Sequence, residues 1–198
     1  MSNTVTEGRG RLTPERTHEV YDAVLRLVVE HGYEGLTMDA IAHEASISKA
    51  TLYRQWGGKP TLVIDAIEAN HPYSELDDID TGSLRDDLYA WVRVSIQHAN
   101  GSDVGLIYAI MHACMTNEEL HNVVRERMIN RKRADFDALF VRAVERGEIA
   151  ADAPALPYVP MMIVGPYLLR ELVDGLPPDE PYLRGLIDDV VLPALGIH

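Results

Sequence analysis

With a single cysteine the chain cannot form an internal disulfide, and Cys114 lies in the apolar run IYAIMHACM, where a small buried hydrophobe is expected. No run of about 20 apolar residues exists to span a membrane. The opening MSNTVTEGRG also lacks the apolar segment of a secretory signal, so a cytoplasmic protein with no membrane partner is expected. Apolar and polar residues never alternate at period two, so no strand is expected, and there is no internal repeat. The chain has no nucleophile elbow, no glycine-rich phosphate loop and no carboxylate pair in a recognisable setting. Its eight histidines include no pair at the i, i+4 spacing of a helical metal site. Neither catalysis, cofactor nor metal is expected.

One further absence points somewhere. From Ser46 to Lys59 there is no acidic residue, although the formal net charge of the chain is -13. The first 60 residues hold seven basic and eight acidic side chains, so the acidity belongs to the remainder. Distant carboxylates are screened over about 8 Å at physiological ionic strength, and the local sign decides what can dock. The acid-free stretch carries Lys49, Arg54 and Lys59 among Ser48, Thr51, Tyr53, Gln55 and Trp56, a surface suited to a polyanion. It belongs to TMDAIAHEASISKATLYRQWGGK, residues 37–59. There Ile41, Ala42 and Ala45 form one small apolar face, and Ile47 and Leu52 pack beneath it at the spacing of a helix-turn-helix.

The first eleven residues, with Arg9 and Arg11, read either as an arm able to enter a minor groove or as a solvated tail. A first helix is expected from the cap Thr13 and Pro14, with Val20, Ala23, Val24, Leu27 and Val28 at the helical period and Gly32 as its end. It makes the helix-turn-helix a three-helix, homeodomain-like unit. Gly57-Gly58 ends the second short helix, and TLVIDAIEAN then runs on to stop before Pro72. The acidic, turn-rich segment 72–82 marks the boundary between an N-terminal domain, 1–71, and a C-terminal one, 72–198.

Beyond it the pattern is helical throughout, for about nine helices in all. Ser83 with Asp86 resembles a capping box. Residues from about Asp103 to Met115 are apolar on most sides, which predicts a helix in the middle of a bundle. The last two helices, about 155–174 and 179–195, carry more apolar surface than one protomer needs, so a homodimer contact or the completion of the core is expected of them.

The run ISKATLYRQWGGK, with LTMDAIAHEAS before it, resembles the signature of the TetR family of bacterial transcriptional regulators over residues 14–70. The resemblance implies an all-α homodimer with an N-terminal DNA-binding domain and a C-terminal helical bundle that binds a small-molecule effector and dimerises. It implies that Ser48 to Trp56 is the recognition helix, with Lys49, Ala50 and Thr51 facing bases or phosphate. By the same resemblance Tyr53, Lys59 and Thr37 meet phosphate. Arg54 is a base or phosphate contact or part of a solvated face, and Trp56 is either a DNA contact or a packing plug. Two departures stand out: Ser46 where such turns often carry Gly, and Gly58-Lys59-Pro60 where Ser, Lys and Glu are commoner.

An apolar or aromatic effector is expected among Trp91, Tyr108, Met111, His112, Met115, Phe136, Phe140 and Met162, because thioethers and aromatic faces suit such a ligand and His112 offers a polar handle. The same residues also fit an ordinary core. The function expected is a ligand-responsive repressor that leaves a double-stranded operator when the effector binds. The alternatives are a helical DNA-binding protein without a ligand and a helical-bundle enzyme or lipid carrier.

Overall fold

The computed structural model describes residues 12–70, 79–98 and 103–197, and every regular element among them is helical. The arm with Arg9 and Arg11, and residues 72–78 of the acidic segment, lie outside the described residues. The helices are α1 (Pro14–Gly35), α2 (Met38–Glu44), α3 (Lys49–Trp56), α4 (Lys59–Asn70) and α5 (Leu84–His98). They continue as α6 (Asp103–Cys114), α7 (Glu118–Val124), α8 (Asn130–Glu145), α9 (Val159–Asp174) and α10 (Glu180–Leu186). A π turn, Arg125–Ile129, joins α7 to α8, and another, Ile187–Val191, carries α10 into a last turn at Leu192–Ala194. The chain divides into two compact units, Met1–Pro72 with Gly105–Val124, and Tyr73–Val104 with Arg125–His198.

In the first unit the caps fall where the sequence places them. Thr13 accepts from Arg16 N and Pro14 opens α1, whose Val20, Ala23, Val24, Leu27 and Val28 are buried. Gly32, at φ 70°, interrupts the helical backbone, but one more turn follows to Gly35 before the chain extends at Leu36. The α2 to α3 turn is made by Ser46 at φ 50°, the single non-glycine residue with positive φ among the described residues. A side chain in that region costs on the order of 1 kcal/mol. Ser46→Gly relieves that cost but gives the unfolded chain more freedom, so a net gain of up to about 0.5 kcal/mol is expected, read as a higher urea midpoint at unchanged slope. A lower midpoint would mean that the turn stores less strain than that freedom is worth.

The family-like three-helix head is not the whole of this unit. Helix α7 packs on α4, with Leu120 fully buried, and Asn117 caps α7 by accepting from Leu120 N at 2.8 Å. The expectation that the 103–115 helix lies inside a bundle is corrected here. Leu106, Ile110 and Ala113 form one buried face of α6, whereas Met111 and His112 are exposed and Met115 is 84% exposed. Three apolar positions at i, i+4, i+7 are enough for an amphipathic helix, and the remaining methionines do not need cover. Cys114 is half-buried, and burial pushes its thiol up.

The second unit packs α5, α8, α9 and α10 around Leu84, Leu88, Trp91, Val92, Phe136, Leu139, Phe140, Ile163, Leu183, Ile187 and Val191. The Ser83–Asp86 capping box is present, with Ser83 Oγ accepting from Asp86 N at 3.1 Å and donating to its carboxylate at 2.9 Å. A polar strap then fixes the start of α5. The carboxylate of Asp87, fully buried, accepts from Thr81 N and Thr81 Oγ1, both at 2.7 Å, and from Arg146 Nη2 at 3.1 Å. Glu148 accepts from Leu84 N at 2.7 Å and also bonds Arg146. Pro166 sits inside α9, which ends at Gly175 in the left-handed conformation, φ 67°.

Candidate nucleic-acid interface

Helix α3 is eight residues long, so its stability rests on its cap and on what its inner face buries. Ser48 is the cap: its Oγ accepts from Thr51 N at 3.1 Å and lies 2.8 Å from Thr51 Oγ1. Leu52 is fully buried, and Trp56 is 6% exposed. With 52 and 56 held inward, Lys49, Ala50, Tyr53 and Arg54 face outward together, and all four are exposed, while Thr51 is half-buried beside them. Two of the four are basic and none is acidic, so α3 itself offers donors and a methyl group.

Trp56 is the correction in this list. Its indole packs edge-on against Tyr21 at 5.9 Å between ring centroids, and Nε1 lies 3.4 Å from Tyr21 Oη. A large aromatic ring at the inward position of a short helix does more by packing than by reaching outward. It is a plug between α3 and α1 and not part of the outer face.

The cations differ in what holds them. Arg16 donates to the Ala45 carbonyl at 2.8 Å, closing the end of α2, and Arg26 pairs with Glu44 at 3.0 Å. Arg54 Nη2 lies 3.4 Å from Thr51 Oγ1. Lys59 donates to the carbonyls of Tyr33 and Leu36, both at 3.0 Å, and its ammonium sits 4.1 Å above the Tyr33 ring. Burial holds the Lys59 ammonium below its ordinary pKa. Lys59 thus closes the carbonyl end of α1 against the start of α4, a task the sequence does not announce. Lys49 donates to the carboxylate of Asp39 at 2.8 Å, and that hydrogen bond pushes its pKa up.

Thr37 caps α2, accepting from Ala40 N at 3.1 Å. A cleft of about 310 Å³ lies beside the α3 to α4 connection, lined by Tyr33, Met38, Tyr53, Gly57, Gly58, Lys59, Pro60, Asn117 and Glu119. Sequence reasoning missed Asp39 and Glu119. Asp39 meets Lys49 across the α2 to α3 turn, and Glu119, in the first turn of α7, lines the cleft; no local pattern encodes either placement.

The effector list is divided between the units. Trp91, Phe136, Phe140 and Met162 meet in the second: Trp91 and Phe136 are 5.1 Å apart between ring centroids, Phe136 and Phe140 are 6.0 Å apart, and Met162 packs against the same cluster. Tyr108, Met111, His112 and Met115 belong to the first. Trp91 is buried, and its Nε1 has no acceptor among the described residues.

No helix among the described residues is long and apolar enough to cross a membrane. Residues 20–66 match the family model of bacterial regulatory proteins of the tetR family, and residues 78–190 that of the tetracyclin repressor-like C-terminal domain. The chain is 33% identical over 181 residues to an HTH-type transcriptional regulator of Mycobacterium tuberculosis, covering 91% of this chain and 88% of the relative. It is 31% identical over 178 residues to the DNA-binding transcriptional repressor TetR of Mycobacteroides abscessus, covering 89% and 92%. The crystal structure of the TetR family transcription regulator SCO0332 superposes with a TM-score of 0.67 at 25% identity, covering 91% of this chain and 98% of that one. These relatives and both family models are transcriptional regulators and not enzymes. With an outward, acid-free α3 set in an all-helical frame, the chain belongs to the TetR family of helix-turn-helix transcriptional regulators.

Proposed function

We propose that this regulator is a repressor that binds a palindromic operator as a homodimer and leaves it when a small apolar or aromatic effector binds. The observation that carries the reading is the outer face of α3, where Lys49, Ala50, Tyr53 and Arg54 stand exposed with no acid among them. Ser48 and Thr51 at the helix start, with Thr37 at the start of α2, supply hydroxyls for the flanking phosphates. Lys59 reaches phosphate only through what its two carbonyl bonds leave over. The sign of regulation follows the M. abscessus relative, whose name is that of a repressor. Work in the cytoplasm, at the nucleoid when bound, accords with this role.

Homodimerisation through α9 and α10 is supported by the outward side of α9. Tyr158, Met161, Leu169, Leu172, Val173 and Leu176 are exposed, and of the helix's own residues Val159 and Ile163 are the buried ones. Exposed apolar area of this extent marks an interaction surface. For the effector, the aromatic cluster of Trp91, Phe136 and Phe140 with Met162 supplies the apolar wall, and the Trp91 N–H supplies a donor for an acceptor atom on the ligand. The mechanism is a population shift: the effector favours a geometry in which the two heads no longer match major grooves about 34 Å apart.

A ligand-independent regulator is the second reading, favoured by the close mutual packing of Trp91, Phe136 and Phe140. A mobility shift on the intergenic DNA beside its own gene tests the first. Wild type is expected to retard the fragment, with Lys49→Ala and Tyr53→Phe each weakening binding by roughly 5- to 30-fold. Failure to retard any such fragment at low salt would contradict DNA binding there. Release of the fragment by a small molecule that co-purifies with the protein would decide for the effector, and its persistence against every such molecule for the second reading.

A further inference from the structure

Resting on the DNA-binding reading above, we infer that Asp39 is a specificity determinant of the reading head. It restrains Lys49 so that its ammonium does not serve as a contact to phosphate on arbitrary DNA.

The sequence places no acid between Ser46 and Lys59, yet the fold brings one to the start of α3. Asp39, in the first turn of α2, holds Lys49 Nζ at 2.8 Å. Neither partner belongs to the core: the Lys49 side chain is 47% exposed and that of Asp39 74%. A pair this exposed contributes little to stability, so its presence on the outer face needs another account.

Charge supplies one. Among the described residues of the head, Arg26 is likewise paired with a carboxylate, Glu44, whereas Arg16, Lys59 and Arg54 hydrogen-bond neutral oxygens of Ala45, of Tyr33 and Leu36, and of Thr51. Lys49 stands at the end of α3 that enters a groove first. An unrestrained ammonium there would neutralise a phosphate of any sequence, and each such neutralisation strengthens non-specific binding and steepens its salt dependence. Paired with Asp39 the site is neutral to an approaching backbone. A base edge with two acceptors, such as guanine N7 and O6, offers Lys49 a directed replacement for the carboxylate, so the operator loses little. The carboxylate acts against wrong partners more than for the right one.

The test is a set of anisotropy titrations with wild type, Asp39→Asn, Lys49→Met and the double variant. Each is run on a mixed-sequence duplex and on the best duplex that wild type enriches from a random pool. Asp39→Asn is expected to tighten binding to the mixed-sequence duplex about fivefold at about 50 mM salt, and to steepen its plot of log affinity against log salt by about 1. The enriched duplex should tighten by less than about twofold, so that discrimination falls. In the Lys49→Met background Asp39→Asn should change neither affinity nor slope. Equal tightening on both duplexes, no change on the mixed-sequence duplex, or an undiminished effect without Lys49 would each overturn the inference while leaving DNA binding intact. Wild type that binds no duplex at all would overturn the DNA-binding reading and this inference with it.

Discussion

Leu172→Glu combined with Val173→Glu is expected to halve the hydrodynamic mass and to lower affinity for a two-site operator by roughly 100-fold or more. The two side chains are 73% and 74% exposed in the single chain, so the glutamates meet water there, and the melting temperature should fall only by what the lost dimer contact contributed. In a two-fold contact the patch meets its own copy, and four carboxylates would be buried in it without partners. Helix α9 itself should keep its place, because Arg170 pairs with Asp179 at 2.8 Å and lies 3.9 Å over the Tyr182 ring, tying it to α10. Once separated, each head binds its half-site as an independent event. Sedimentation velocity and anisotropy on the same samples check both effects. An unchanged mass, or a monomer that holds the operator as well as wild type, would show that α9 is not the contact.

The largest stability loss is expected from Arg146→Met. Arg146 gathers Asp87, Glu148 and Asp80, and Asp87 is fully buried. Without the guanidinium the Asp87 carboxylate keeps its two bonds from Thr81 but loses the charge that compensates its burial. Removing one partner of a buried pair costs about 3–5 kcal/mol. The Arg146 side chain is 25% exposed and partly screened, so about 2–4 kcal/mol is the fair expectation. Thermal or urea unfolding checks it. The companion Arg146→Met with Asp87→Asn should recover part of the loss, since an amide is cheaper to leave beside Thr81 than a lone carboxylate. No loss in the single variant would mean that water reaches Asp87 freely.

Much of this molecule was legible in its sequence, for reasons of range. Caps act within three residues, so Thr13 and Ser83 announced α1 and α5, and Gly57 marked the end of α3 through a conformation that other residues resist. Helical period likewise separated Leu52 from the outward Lys49 and Tyr53. What was hidden depends on partners far along the chain. For Trp56 the sequence leaves a DNA contact and a packing plug open, because nothing near it reveals Tyr21, 35 residues earlier. Lys59 resembled a phosphate ligand, and its carbonyl partners, Tyr33 and Leu36, appear only once α1 and α4 are packed together. Asp39 lies in the first turn of α2, and its pairing with Lys49, ten residues on, is formed across the turn at Ser46. Residues 105–124 looked like part of the C-terminal bundle by composition. The packing of α7 on α4, with Leu120 buried, is a long-range contact that hydropathy cannot foresee.

The central claim, that the outer face of α3 reads DNA in pairs, is tested most directly by enriching bound duplexes from a random pool with wild type and with Lys49→Ala. The account predicts that wild type selects an inverted repeat whose half-sites are separated by about one helical turn, or a multiple of it, and that Lys49→Ala relaxes the preference at one position in each half. An enriched pool without two-fold symmetry, or one whose base preferences Lys49→Ala leaves untouched, would contradict it.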